Sequence, residues 1–175
     1  MEEKQLISLL RNDKTFTEGF QLLLREYQER IYWAIRKIVI DHEDANDVTQ
    51  DVFIKVYSSI RKFRGDAQLY TWVYRIAVNE SLTFIKRKKR FITEDDCFLQ
   101  ETLKASAYVD GNEIQMKLQS AILKLPDKQR LVFNMKYFDD LKYEEISKIT
   151  DTSVGALKAS YHHAVKKIEE YVNEV

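Results

Sequence analysis

The chain of 175 residues has four glycines, one proline (Pro126) and one cysteine (Cys97). So little turn punctuation argues against a β-sandwich or a doubly wound α/β fold, both of which need Gly and Pro at many corners. A lone cysteine excludes an internal disulfide and a four-cysteine zinc site, and it fits a reduced, intracellular setting. The start, Met1-Glu2-Glu3-Lys4, lacks the basic-then-apolar order of a secretory signal, and no apolar run approaches the ~20 residues that span a bilayer. What is present is 45% hydrophobic residues, enough for a packed core. The expectation is a soluble, cytoplasmic protein that is helical almost throughout.

Net charge is zero, from 28 basic and 28 acidic residues, but the charges are segregated along the chain. Residues 41–53 carry five acids and no Lys or Arg. Residues 54–91 carry ten basic residues against Asp66 and Glu80, and residues 92–113 carry six acids against Lys104. Zones of opposite sign are the electrostatic footprint of a protein that meets charged partners on separate faces.

Apolar residues at Phe16, Phe20, Leu23, Leu24, Tyr27, Ile31, Ile35 and Ile38 recur at steps of three and four, predicting one long amphipathic helix. Val48, Val52, Phe53, Val56 and Ile60 predict a second, broken near Gly65-Asp66. A third is expected from about Trp72 to Lys89, with Thr71 as its cap. With a short helix around Leu6–Leu10, these form a first domain over 1–91. Periodicity fades over 92–112, an acidic linker. A second domain over 113–175 opens with a helix carrying Leu118, Ala121, Ile122 and Leu125. Pro126 stops that helix and starts the next. A short helix over about Leu141–Ile149, a turn at Asp151-Thr152 and a long helix capped by Ser153 follow. Short helix, tight turn and longer helix is the layout of a helix-turn-helix reader. The fold class is all-α, two small helical domains.

Three constellations carry chemistry. In the last helix Lys158, His162, His163 and Lys166 point away from the apolar stripe, as residues reading a major groove would; an ordinary solvated face also carries lysines. Adjacent His162 and His163 diverge by about 100° with no third ligand nearby, so they do not make a metal site. The stretch from Phe63 through Thr71-Trp72-Val73-Tyr74-Arg75-Ile76-Ala77-Val78-Asn79 to Lys86-Arg87-Lys88-Lys89-Arg90 interleaves aromatics with positive charge. That suits single-stranded nucleic acid, where rings stack on unpaired bases and cations hold the backbone. Asp44, Asp47 and Asp51, with Gln50 alongside, share one helical face: a docking surface for a basic partner, a Mg²⁺-holding set in a nuclease, or acids gathered at a helix N-terminus by its dipole. No His, Lys or Ser completes an active site around them.

Asp44-Ala45-Asn46-Asp47-Val48-Thr49-Gln50-Asp51-Val52-Phe53, Phe63-Arg64-Gly65 and the segment Thr71 to Asn79 resemble region 2 of the extracytoplasmic-function (ECF) sigma factors. Leu125-Pro126, Arg130-Leu131-Val132-Phe133, Tyr143-Glu144-Glu145-Ile146 and Val154-Gly155-Ala156-Leu157-Lys158 resemble region 4. The resemblance runs from about residue 16 to 172 in the family's order. It implies a non-enzymatic factor that joins core RNA polymerase, recognises promoter −10 and −35 elements and promotes melting. Asp44, Asp47, Gln50, Asp51 and Phe53 would dock on the β′ clamp helices. Ser59, Phe63, Tyr74, Ile76 and Asn79 would capture a flipped −10 base, with Arg75, Lys86, Arg87 and Lys88 on the DNA backbone. Lys158, His162, His163 and Lys166 would read the −35 element, and region 4 would also touch the β flap. The family further implies an anti-sigma factor that covers both domains, and neither a cofactor nor a small-molecule substrate.

The chain departs from the family at the reading helix. Ala159-Ser160 stand where Ser-Arg is usual, Val165 where a basic residue is common, and Lys142 where Ser or Thr often caps the short helix. Fewer phosphate contacts imply a shallower salt dependence. Two other readings use only part of the chain. A free-standing dimeric helix-turn-helix regulator leaves the first domain unexplained, and a nuclease on Asp44, Asp47 and Asp51 leaves most of both.

Overall fold

A computed structural model describes residues 2–91 and 113–174, the side chains of 89–91, 113–116 and 174 excepted. The expected acidic linker, residues 92–112, lies outside the described residues, as does Cys97. The chain forms two compact units, over 1–88 and 89–175.

In the first unit α1 spans Glu3–Arg11, with an acid in its first turn and a base in its last, the order the helix dipole favours. Leu6 and Leu10, one turn apart, are its buried residues. Helix α2, Phe16–Val39, buries Phe16, Leu23, Tyr27, Ile31, Ile35 and Ile38. Gly19 permits α1 to lie close against it: a Cβ there would come 2.9 Å from the Cβ of Leu9. Tyr27, which reaches the core, has its hydroxyl pKa pushed up to about 12, by burial first and by Glu3 next. Helix α2 ends at Ile40, whose φ of 71° is uncommon for a β-branched residue and turns the chain toward α3.

Helix α3, His42–Ser59, is capped by Asp41, whose carboxylate accepts the Asp44 amide at 3.0 Å. Ala45, Val48, Val52 and Val56 face inward onto α2. A 3₁₀ turn, Ile60–Lys62, continues α3 into a loop where Gly65 takes φ +86°. Helix α4, Leu69–Phe91, begins earlier than the sequence suggests. Trp72 N–H already bonds Gln68 C=O at 3.1 Å. Thr71 is therefore inside the first turn and buried, not the cap.

In the second unit α5 spans Glu113–Leu123, α6 Asp127–Tyr137, α7 Tyr143–Thr150 and α8 Val154–Glu174. Pro126 separates α5 from α6, and its carbonyl accepts the Arg130 amide at 2.9 Å. Arg130 is buried and knits this corner, donating to Leu123 C=O at 3.3 Å and to Asp127 at 3.1 Å. Burial lowers its guanidinium pKa and Asp127 opposes the shift. Ala121, Ile122, Leu125, Phe133, Ala164 and Ile168 form a core in which α5 and α6 cover α8. Asp151 turns the chain left-handed between α7 and α8, and Ser153 Oγ caps α8 by accepting the Ala156 amide at 3.3 Å. At α7, Lys142 supplies no side-chain cap; the Glu145 carboxylate instead accepts the Lys142 amide at 2.9 Å. Among the described residues there is no strand, and no helix is long and apolar enough to cross a membrane.

Candidate nucleic-acid and polymerase interfaces

The first surface lies on α3. Asp47, Gln50 and Asp51 are exposed there. Spacings of three, seven and ten put Asp47, Gln50, Ile54 and Tyr57 on one face. Ile54 is 61% and Tyr57 53% exposed, large apolar surface that sequence periodicity did not single out. Together with Phe20, Leu24 and Phe53 they line a groove between α2 and α3. Phe53 itself is buried, so it contributes to the groove wall and offers little face of its own. The edges of Tyr57, Phe16 and Phe20 meet at centroid distances of 5.1 and 5.0 Å, which fixes the Tyr57 ring. An apolar groove bordered by carboxylates suits an amphipathic basic helix.

Asp44 behaves differently from its neighbours. Its carboxylate is largely covered and pairs with Lys88 Nζ at 2.5 Å. A second pair, Lys55–Glu80 at 2.5 Å, also joins α3 to α4. Lys88 lies fourteen residues beyond Tyr74, on the packed face of α4, which explains why it turns toward α3. Among the described residues no three His, Cys, Asp or Glu side chains gather as metal ligands.

The second surface is on α4. Trp72, Ile76, Asn79 and Lys86 lie at steps of four, three and seven, a single strip with Arg75 and Arg87 at its sides. Arg75, Asn79, Lys86 and Arg87 are exposed; Trp72, Ile76 and Ser59 are half-buried. Two expected members lie beneath the surface. Tyr74 is 1% and Phe63 6% exposed, so neither presents a ring face on which a base could stack. Tyr74 follows Val73 on the core stripe of α4 and meets Tyr70 at 5.8 Å, and Tyr70 in turn meets Tyr27 of α2 at 5.5 Å. Phe63 packs against Trp72 at 5.5 Å, leaving Trp72 as the partly open ring. The side chains of Lys89 and Arg90 lie outside the described residues.

The third surface is on α8. Lys158, His162, His163 and Lys166 are all exposed, and the first two turns also expose Gly155, Ala156 and Ala159. Lys158 Nζ sits 5.8 Å from the Tyr143 ring centre, and Lys166 pairs with Glu170 at 3.8 Å. Tyr137 and Phe138, 56% and 46% exposed, lie at the end of α6. They continue an aromatic row in which Phe133 stacks with Tyr137 at 5.1 Å and with Tyr161 at 5.8 Å. Burial first, then Tyr143, raises the Tyr161 pKa.

Family models match both units: Sigma-70 region 2 over residues 23–91 and Sigma-70, region 4 over 115–168. RNA polymerase sigma-H factor of Pseudomonas aeruginosa is 30% identical, with 97% of this chain and 93% of that protein covered. The chain belongs to the ECF sigma factors of the sigma-70 superfamily. ECF RNA polymerase sigma factor SigW of Bacillus subtilis is 27% identical, covering 100% of this chain and 98% of the relative. Among solved structures, the sigma factor RpoE of Bartonella quintana, crystallised with the anti-sigma factor NepR, has the same fold. Its TM-score is 0.71 at 17% identity, over 89% of this chain and 98% of that one. The sigma factor is thus a transcription initiation factor and not an enzyme.

Proposed function

We propose that each surface serves one step of promoter engagement. The α2–α3 groove, with Asp47, Gln50, Asp51, Ile54 and Tyr57, docks on the β′ clamp helices of core RNA polymerase. The observation that carries this is the exposure of Ile54 and Tyr57 in a groove bordered by carboxylates, since large open apolar patches mark binding sites. Phe53 acts from the groove wall. Asp44 serves the same docking indirectly, by holding α4 against α3 through Lys88.

The loop after α3 and the strip on α4 take the −10 element. Asn79, Ile76 and Ser59 line the path of an unpaired base, Trp72 supplies the ring, and Arg75, Lys86 and Arg87 hold phosphates. Phe63 and Tyr74 shape this surface from inside. Helix α8 enters the −35 major groove through Lys158, His162, His163 and Lys166, and the Tyr137–Phe138 patch meets the β flap. An anti-sigma factor would compete for the same grooves; two proteins of the same fold motivate this, RpoE, solved with the anti-sigma factor NepR, and CnrH, solved with the cytosolic domain of CnrY at a TM-score of 0.70 to this chain. The protein works in the cytoplasm, where the polymerase is.

Run-off transcription with core enzyme and a random promoter library tests the whole reading. Sequence-selective initiation that needs both components is expected. Failure to direct any initiation, or equally selective duplex binding without polymerase, overturns it.

A further inference from the structure

The region 2 match begins at residue 23 and leaves α1 and the α1–α2 turn outside it. That segment nevertheless reaches the loop at the end of α3. The Arg11 guanidinium, at the C-terminus of α1, donates to Phe63 C=O at 3.4 Å across 52 residues of sequence. Asp13 pairs with Arg61 at 2.6 Å, and the Arg61 guanidinium lies 5.0 Å from the centre of the Phe16 ring. Residues 11–16 therefore hold the 3₁₀ turn and the entry to the loop from one side.

The brace is itself well anchored. Leu6 and Leu10 fix α1 in the core, Gly19 lets it lie tight on α2, and Thr15 Oγ donates to Leu9 C=O at 3.0 Å. Beyond Phe63 the anchoring stops. Arg64, Gly65 and Asp66 are exposed, and nothing lies within 4 Å of a Cβ built on Gly65. Phe63 is the last buried residue before this open stretch. Its N–H bonds Ile60 C=O, so its carbonyl is the remaining polar group that needs a partner. Arg11 supplies that partner.

We propose that Arg11 is a positioning residue for the −10 reading loop: it sets where the open stretch 64–68 leaves the core, and through that which base the loop accepts. This rests on the assignment of the loop to a flipped −10 base. The two contacts are unequal. The Asp13–Arg61 pair joins side chains that are 80% and 61% exposed, and pairs of that kind contribute little. The Arg11 side chain is also exposed and its hydrogen bond is long, but it alone of the two contacts reaches the partly buried Phe63 carbonyl at the loop entry, so its loss should be the larger.

The test uses holoenzyme assembled from the full chain. A promoter is first selected by the unmodified holoenzyme from a random duplex library. Fluorescent single-stranded oligonucleotides of its non-template −10 segment, with each base changed in turn, are then titrated at several salt concentrations. Arg11→Ala should reduce discrimination between the selected and substituted bases by about fivefold, with an unchanged salt slope. Arg11→Lys, which keeps a donor, should restore most of it, and Asp13→Asn should cost less than about twofold. A salt slope reduced by roughly 0.7, with discrimination intact, would make Arg11 a phosphate contact and overturn the proposal. Unchanged discrimination in Arg11→Ala overturns it as well. Should Arg11→Ala fail to fold, discrimination as poor in a folded Arg11→Lys as in a loop-disrupting Gly65→Val would also count against it. An unmodified holoenzyme indifferent to every base sinks the loop assignment itself, and the brace with it.

Discussion

The first unit ties two of its candidate binding helices to each other through ion pairs, whereas in the second the candidate reading helix α8 is held by apolar packing and by the Lys124–Tyr171 hydrogen bond. Lys88–Asp44 and Lys55–Glu80 join α3 to α4, so the groove proposed for polymerase and the strip proposed for unpaired DNA share a frame. On α8 Lys166 pairs with Glu170, one turn along the same helix, and Lys158 leans on the Tyr143 ring of α7. Substitutions in the Lys88–Asp44 and Lys55–Glu80 frame should therefore spread between the two functions, while those on the exposed face of α8 should bear on promoter binding alone.

The largest expected effect separates a buried from an exposed tyrosine. Tyr74→Ala should destabilise the first unit by about 3 kcal/mol, the range for removing a buried aromatic. Tyr137→Ala should change unfolding of the second by about 0.5 kcal/mol or less. Chemical denaturation measures both, and a wild-type midpoint for Tyr74→Ala would return that ring to the surface.

Next comes the groove. Ile54→Glu places a charge in the exposed apolar patch and should weaken core binding at least tenfold, about 1.4 kcal/mol, without altering thermal unfolding. Titration of labelled core enzyme reads this directly; an unchanged affinity would move the docking site elsewhere. On α8, Lys158→Ala should weaken promoter binding by the holoenzyme uniformly across sequences and reduce the salt slope by about 0.9. Loss of sequence preference at one position, with the slope intact, would make it a base contact instead.

The smallest effect sharpens the contrast most. A double-mutant cycle on Lys88 and Asp44 should show a coupling of roughly 0.5 kcal/mol in stability, discounted because both side chains keep some solvent. The same cycle on Lys166 and Glu170 should give about 0.3 kcal/mol or less. Equal couplings would remove the proposed difference between the units.

Much of the fold was legible because burial follows helical periodicity. Leu157, Ala164 and Ile168 fall inward as their spacing requires, and Ser153 caps α8 as its side chain allows. The charge zones likewise mark two of the three surfaces. Tyr74 was drawn into the −10 site by its place in a motif, although it adjoins the Val73–Ala77 stripe. Lys88 belonged to a basic run, but fourteen residues of helix return it to the Tyr74 face. Ile54 and Tyr57 were missed because an exposed apolar residue looks like a core residue until its neighbours are placed. The Asp44–Lys88 and Arg11–Phe63 contacts, 44 and 52 residues apart, depend on tertiary packing and leave no local trace.

The claim that matters most is the division of labour between the α2–α3 groove and the α4 strip, and one paired measurement tests it. Core-enzyme affinity and the rate of promoter opening are measured on the same preparations of Ile54→Glu and Asn79→Ala. The expected result is a crossing: Ile54→Glu loses affinity for core, while Asn79→Ala binds core normally and opens the promoter at least several-fold more slowly once saturated. If both variants lose both functions in equal proportion, the two surfaces are one, and the assignment fails.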